Sequence, residues 1–224
     1  MNRKFKNVLI ILLSIITIYC ILMTSTLIVT KSKIIYYFDI DYLNITQNSM
    51  LTKEEIKKNY DYTIEYLFNR DIIEFKPPTL PSSADGSQHF LDVRNLFNLG
   101  KRILLIGLIT GCVILYILRG ENFAYKFLRY SGITLICIPV LSLAFINVDF
   151  TSAFTLFHEL MFKNDKWLLD PATDPIINMM PEEFFAHCGV AIIVISAIFG
   201  ILMLVAYKWF HGKSNKNNYK GLVK

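Results

Sequence analysis

The sequence has few charged residues, and this scarcity excludes the commonest class of protein. Of its 224 residues, 18% are charged and 54% are hydrophobic, whereas an ordinary soluble domain carries about 25% charged residues. The mean hydropathy is +0.42. Four cysteines are too few for a disulfide scaffold, and 10 glycines and 7 prolines exclude collagen and a low-complexity disordered chain. The composition is that of a membrane protein.

Familiar catalytic and cofactor motifs are also missing. The sequence has no G-x-S-x-G, Walker, G-x-G-x-x-G or S-x-x-K motif, so serine-hydrolase, nucleotide and dinucleotide chemistry are unsupported. His158-Glu159 lacks the second histidine of H-E-x-x-H, and the cysteines have no metal or redox spacing. We therefore expect no cofactor and no metal. A zinc site built from His89, His158 and a carboxylate is an alternative that no motif spacing indicates.

What the sequence does contain is four long apolar runs, at residues 7–30, 102–118, 130–148 and 188–207. Runs of about 20 apolar residues are typical of transmembrane helices. The first run is too long for a signal peptide and lacks a small-residue cleavage site, so we expect a retained helix. No acidic residue lies within the runs, which argues against a proton-coupled transporter. The whole chain, residues 1–224, is predicted to be one all-α domain, a four-helix transmembrane bundle.

The positive residues set the expected orientation. They are concentrated before the first span, between the second and third, and after the fourth, and such clusters mark the cytoplasmic side. Both termini are therefore predicted to be cytoplasmic, and the connections 31–101 and 149–187 to form a helical extracytoplasmic cap. The net charge of +5 then reflects topology and anionic lipids, so no nucleic-acid partner is expected.

Local signals divide the two outer connections into elements. Thr52 and Glu55 form a capping-box pattern, and the apolar spacing behind it predicts an amphipathic helix over residues 53–69. Residues 82–86 are predicted to form a flexible loop. In the second connection, Asp149 is a candidate N-cap for an apolar helix at the membrane interface.

Four histidines are candidates for chemistry, and the predicted topology separates them. His211 lies in the basic tail, and His187 lies at the outer end of the fourth span, where a polar tip at the headgroups is the ordinary explanation. His89 and His158 lie at the predicted outer boundary, where a titratable side chain is costly unless it is used or paired. Histidine is also the usual general base near neutral pH. A structural role for these two, hydrogen-bonded to a carboxylate such as Asp92, stays open.

Two outer segments carry a resemblance to a known family. The first contains His89, Asp92 and Val93. The second contains Phe154, Phe157, His158, Trp167, Asp170, Asp174, Ile176, Ile177, Pro181, Phe184 and Phe185. In these motifs, and in its length and span layout, the chain resembles the bacterial lipoprotein intramolecular transacylase family, Lit, whose members are four-span integral membrane proteins.

The resemblance implies an acyltransferase that moves the sn-2 acyl chain of a diacylglyceryl lipoprotein onto the α-amino group of its N-terminal cysteine. Because the nucleophile belongs to the substrate, effective molarities of about 10⁵–10⁸ M are available and no protein nucleophile is required. The implied partners are the lipoprotein and membrane lipids, and we expect a monomer. The implied catalytic residues are His89 and His158. The implied substrate-binding or orienting residues are Asp92, Ser87, Asp170, Asp174, Trp167, Phe154, Phe157, Phe184 and Phe185.

The two histidines are expected to share one site with different roles. His89 follows the predicted loop and has polar neighbours, so we expect the general base there, with His158 orienting the ester or donating to the oxyanion. Phe154, Phe157, Phe184 and Phe185 are expected to line a groove open to lipid, although aromatic stripes are more often core packing. The alternative function is a non-enzymatic membrane protein whose outer loops bind a partner or sense the envelope, in which the histidines would be dispersed.

Overall fold

The computed structural model describes residues 2–121, 124–146 and 149–222, and the regular structure in these ranges is helical, without a strand. This confirms the all-α class. The α-helices are α1 (Arg3–Lys31), α2 (Ile34–Tyr42), α3 (Ile45–Ser49), α4 (Lys53–Phe68), α5 (Ala84–Ile117), α6 (Lys126–Ile146), α7 (Phe150–Met161) and α8 (Glu182–Leu222), with a short 3₁₀-helix at Pro175–Met179.

Three of the described helices are long and apolar enough to cross a membrane. They are Arg3–Lys31, Ala84–Ile117 and the Glu182–Gly212 part of α8. They contain the first and fourth predicted spans and all but the last residue of the second. Helix α6 covers most of the third predicted span, 130–148, whose last two residues lie outside the described part of the chain. The count of four spans and the cytoplasmic location of both termini stay predictions.

Helices α2, α4 and α7 show how local sequence sets the elements. The capping box at the start of α4 is present, with the Thr52 hydroxyl accepting from the backbone of Glu55 and the Glu55 carboxylate accepting from the backbone of Thr52. Asp149 caps α7 by accepting a hydrogen bond from the Ser152 amide at 3.0 Å. Both caps confirm the predictions. Helix α2, which follows α1 after a two-residue break, was not predicted.

Helix α5 begins earlier than predicted. Ala84 to Gly86, which we expected to belong to a flexible loop, form its first turn, because the Ser83 hydroxyl caps the Gly86 amide at 2.9 Å. No side chain fits at position 86, which explains the glycine there. A Cβ there would lie 2.0 Å from Oδ1 of Asp174. The residue that resembles a helix breaker therefore allows a carboxylate to approach the helix.

The described residues fall into two compact units. One comprises the described parts of 1–26, 102–143 and 192–224, and the other comprises those of 27–101 and 144–191. The second unit has an aromatic core in which Tyr36 stacks on Tyr60 with ring centroids 3.6 Å apart and Phe184 packs edge-on at 5.0 Å from Tyr36. Every candidate site residue lies in this unit.

Candidate functional site

Helices α5 and α7 bring His89 and His158 together, although 69 positions separate them in the sequence. Their ring centroids lie 5.9 Å apart, and the two residues are only 9% and 8% exposed. Burying two imidazoles side by side carries a desolvation cost, so the arrangement favours a working pair over dispersed histidines.

Aromatic rings surround this pair. Trp167 stacks on His158 with centroids 4.9 Å apart and an interplanar angle of 29°, and Phe154 lies 4.3 Å from the same imidazole. Phe162, which the sequence did not single out, packs against both histidines, at 5.2 Å from His89 and 5.7 Å from His158. These flat neighbours restrict how each imidazole can rotate.

His158 is held in one tautomer. Its Nδ1 lies 2.8 Å from the carbonyl oxygen of Phe154, and because a carbonyl only accepts, Nδ1 must carry the proton. In the neutral ring, Nε2 then has the lone pair. Burial lowers the pKa of His158, while the hydrogen bond to Phe154 and the charge of Glu182 act in the opposite direction. The net lowering favours a neutral imidazole whose Nε2 is a base.

Asp92 lies one turn after His89 on α5 but is not its hydrogen-bond partner. Its Oδ1 accepts from Gln88 Nε2 at 2.8 Å and its Oδ2 from Asn164 Nδ2 at 3.1 Å. Within the described part of the chain, none of its hydrogen bonds reaches His89. The carboxylate instead lines a groove of about 310 Å³ between α5 and the residues that end α7.

Asp174 and Ser87 hold the beginning of α5 in place. The Asp174 carboxylate accepts from the Ser83 amide at 2.7 Å, from the Thr173 hydroxyl at 2.9 Å and from the Ser82 hydroxyl at 3.3 Å. Burial alone would raise the pKa of Asp174, but these hydrogen bonds outweigh it and hold that pKa below its usual range. Ser87 donates to the carbonyl of Phe75 at 3.2 Å. Both residues therefore support the segment that carries His89.

The remaining predicted site residues differ in their exposure and in their contacts. Asp170 is exposed and accepts a hydrogen bond from the amide of Ala172 at 2.9 Å. Phe185 contacts Phe154 at 5.4 Å, and Phe157 is 49% exposed. Phe184 is 4% exposed and belongs to the aromatic core, so the packing alternative applies to it and it does not line an open groove.

A second histidine–acid contact was missed by the sequence analysis. His187, interpreted there as a polar tip at the headgroups, has its Nδ1 2.9 Å and 3.0 Å from the two carboxylate oxygens of Asp39. Asp39 is fully buried on α2. The sequence signal that could have indicated this contact is Asp39 itself, an acidic residue inside the apolar stretch that forms α2. The contact corrects the earlier interpretation of His187.

Metal binding has no evident basis in the described residues. They include no group of three or more histidine, cysteine, aspartate or glutamate side chains that could hold a metal ion. The paired imidazoles face aromatic rings and each other, an arrangement suited to acid–base chemistry.

The regular structure of the described residues is helical, three of the helices are long and apolar enough to cross a membrane, and these residues include a buried histidine pair. These features define the class of integral membrane proteins with a candidate acid–base site. The family described as lipoprotein intramolecular transacylase Lit matches residues 11–185, and the chain belongs to this family. Membership supports lipoprotein intramolecular transacylation as the general activity, which is an acyl transfer. No curated protein matched the chain.

Solved structures of the membrane-integral lipoprotein intramolecular transacylase Lit from Bacillus cereus are similar over nearly the whole length. One has a TM-score of 0.89 and 33% identity, covering 96% of this chain and 100% of that one. A form with a histidine replaced by arginine has a TM-score of 0.84 and 33% identity over 96% and 95% of the two chains. A form with a histidine replaced by alanine has values of 0.83 and 33%, over 95% and 96%.

Proposed function

We propose that this protein transfers the sn-2 acyl chain of a diacylglyceryl lipoprotein to the α-amino group of its N-terminal cysteine, giving the lyso-form lipoprotein. The observation that carries the proposal is the buried pair of His89 and His158, 5.9 Å apart, with one imidazole fixed in a basic tautomer. Such a pair can both move a proton and bind the oxygen on which charge develops. Direct transfer requires nothing further from the protein.

His158 is the better candidate for the general base, which reverses the expectation from the sequence. That expectation relied on water access and a carboxylate partner for His89, yet His89 is buried and Asp92 bonds to two amides. The Nδ1 of His158 is committed to the Phe154 carbonyl, so its Nε2 has the lone pair a base requires. A neutral ring at neutral pH suits the same role.

The proposed reaction balances within the site. The neutral α-amine of the substrate attacks the sn-2 ester carbonyl, and a nitrogen–carbon bond forms. His158 Nε2 takes the proton that the nitrogen loses. When the carbon–oxygen bond to the glyceryl sn-2 oxygen breaks, the imidazolium returns that proton to the leaving oxygen. His89 donates a hydrogen bond to the tetrahedral oxyanion, a contribution of about 10²–10³ in kcat.

The site is proposed to face the extracytoplasmic side of the cell membrane, where the ester groups of the substrate lie in the outer leaflet. Exposed apolar side chains of α7 support contact with lipid. Leu156 and Leu160 lie on the side of α7 opposite His158 and are 48% and 70% exposed, whereas Phe157, whose ring lies 5.5 Å from the His158 ring, is 49% exposed. Apolar side chains exposed to this extent on a membrane protein are stabilised by hydrocarbon, so an acyl chain can approach the site past Phe157.

Mass spectrometry of a synthetic diacylglyceryl lipopeptide incubated with the purified protein tests the proposal. The wild type should convert it to the N-acyl lyso-form at constant mass, with the new position of the chain read from fragment ions. His158→Ala should abolish transfer, and His89→Asn, which keeps a donor, should retain part of it. His211→Ala, which changes a histidine outside this unit, is the matched control. Full activity in both site variants would remove the histidine pair from the mechanism, and no conversion by the wild type would favour the alternative of a non-enzymatic binding protein.

A further inference from the structure

The groove beside the histidine pair has two chemically different parts. Asp92, Lys163 and Asn164 supply polar groups, and Leu96, Leu99 and Met161 supply an apolar wall. Phe162 lines the same groove and packs against both imidazoles. The groove of about 310 Å³ therefore adjoins the candidate site, separated from it by one ring.

The carboxylate of Asp92 is oriented by neutral groups, and among the described residues Lys163, which lines the same groove, forms no ion pair with it. Both of its hydrogen-bond donors, Gln88 and Asn164, are neutral amides. Asp92 takes part in none of the ion pairs formed by the described residues, whereas Asp85 on the same helix pairs with Lys166 at 3.5 Å. A carboxylate that is oriented by two amides and forms no ion pair can accept hydrogen bonds from an ammonium group of a ligand.

The apolar wall lies toward the membrane-crossing part of α5. Leu96 and Leu99 follow Asp92 at helical spacing, so the three share one face and the apolar side chains lie nearer the long hydrophobic run. Leu99 is 53% exposed and Met161 is 44% exposed. A ligand with a positive group at one end and hydrocarbon at the other matches this order.

We propose that the groove binds the α-ammonium of the substrate cysteine at Asp92 and one acyl chain along Leu96, Leu99 and Met161. This inference rests on the proposed function and adds a specificity: Asp92 selects lipoproteins whose N-terminal amine is unmodified. The ammonium is delivered next to the imidazoles and loses one proton to water before it attacks. A lipoprotein that is already N-acylated has no charge for Asp92 and leaves the groove.

Binding of two non-reactive lipopeptides to the full-length protein in detergent tests the inference. Both have ether-linked chains, so that no transfer can occur; one has the α-ammonium and the other a neutral hydroxyl in its place. The wild type should bind the ammonium form about tenfold or more tightly, the gain expected of a charge-assisted contact. Asp92→Asn should bind both alike, and Asp92→Glu should retain a preference. Asp85→Asn, which removes an exposed carboxylate of the same helix, should behave as the wild type.

Two outcomes would overturn the inference: equal binding of both lipopeptides by the wild type, or an undiminished preference in Asp92→Asn. Should Asp92→Asn not fold, a salt titration of the wild type decides, because a charge-dependent preference narrows as salt is added and a steric one does not. Acyl transfer in the wild type without the binding preference would leave the proposed function standing and the inference wrong. A binding preference without acyl transfer would leave the inference about Asp92 standing and the proposed function wrong.

Discussion

The carboxylate of Asp39 on α2 is hydrogen-bonded to the imidazole of His187 on α8, with its two oxygens 2.9 Å and 3.0 Å from Nδ1. The side chain of Asp39 has no exposed surface, whereas that of His187 is 38% exposed. A buried carboxylate needs a partner to compensate for lost hydration. The imidazole supplies one and ties the two helices together.

Because Asp39 is buried and His187 is partly exposed, substitutions at these two residues should lower the free energy of unfolding by different amounts. His187→Ala leaves a carboxylate buried without its partner and should lower the free energy of unfolding by about 3–5 kcal/mol. Asp39→Asn leaves a neutral amide that still bonds to the ring, so it should lower the free energy of unfolding clearly less than His187→Ala does. Thermal unfolding midpoints in one detergent measure both, with His211→Ala as the control histidine. Equal losses in the two variants would contradict the argument from unequal burial.

Gly86 should tolerate no side chain. In Gly86→Ala the new Cβ would lie 2.0 Å from Oδ1 of Asp174, and the carboxylate must move away from Ser83. Overpacking of this kind costs about 1–3 kcal/mol. The matched control is Gly189→Ala in α8, where a Cβ meets nothing within 4 Å, and there alanine should be neutral or stabilising by up to about 1 kcal/mol. A midpoint for Gly86→Ala at or above that of the control would contradict the steric argument.

Features that depend on neighbouring residues could be predicted from the sequence. The capping box of Thr52 and Glu55 and the cap at Asp149 involve partners three residues away, so the spacing alone identifies them. The apolar runs likewise predicted the long helices, since hydrocarbon length is a composition signal. The site histidines were found because polar groups are costly among apolar residues.

Features that depend on tertiary packing could not be predicted. Phe162 packs against both imidazoles, and Asn164 bonds to Asp92 from 72 positions away; nothing local distinguishes either residue. Which histidine has a free basic nitrogen was set by one backbone carbonyl, that of Phe154, and the expectation for His89 therefore relied on the wrong environment. Periodicity indicates which face of a helix is buried, but not what it meets.

The charge of Glu182 should shift the acidic limit of activity, which burial of His158 mainly determines. If His158 is the base, activity is present above its pKa and is lost as the pH falls through it; burial places this limit below the ordinary 6.5. Glu182 raises the pKa by favouring the imidazolium. Glu182→Gln, which retains a group able to accept from Thr151, should therefore shift the acidic limb of kcat/KM to lower pH. Glu183→Gln is the control, and an unchanged limb in both variants would remove Glu182 from the electrostatics of the site.

Substituting Trp167 should shift the acidic limb of the pH profile of kcat/KM in the direction opposite to that of Glu182→Gln. Its ring stacks on His158 at 4.9 Å and excludes water from one face of the imidazole. Trp167→Ala would hydrate the ring, so the pKa of His158 should rise toward its ordinary value and the acidic limb of kcat/KM should move to higher pH. The loosened ring should also lower kcat, by up to about 10²-fold if its displacement approaches 1 Å. Trp167→Phe, which keeps an aromatic face, should preserve most of both properties. A fall in kcat without any movement of the limb would mean that Trp167 supports the fold and does not tune the base, and rescue by phenylalanine distinguishes stacking from bulk.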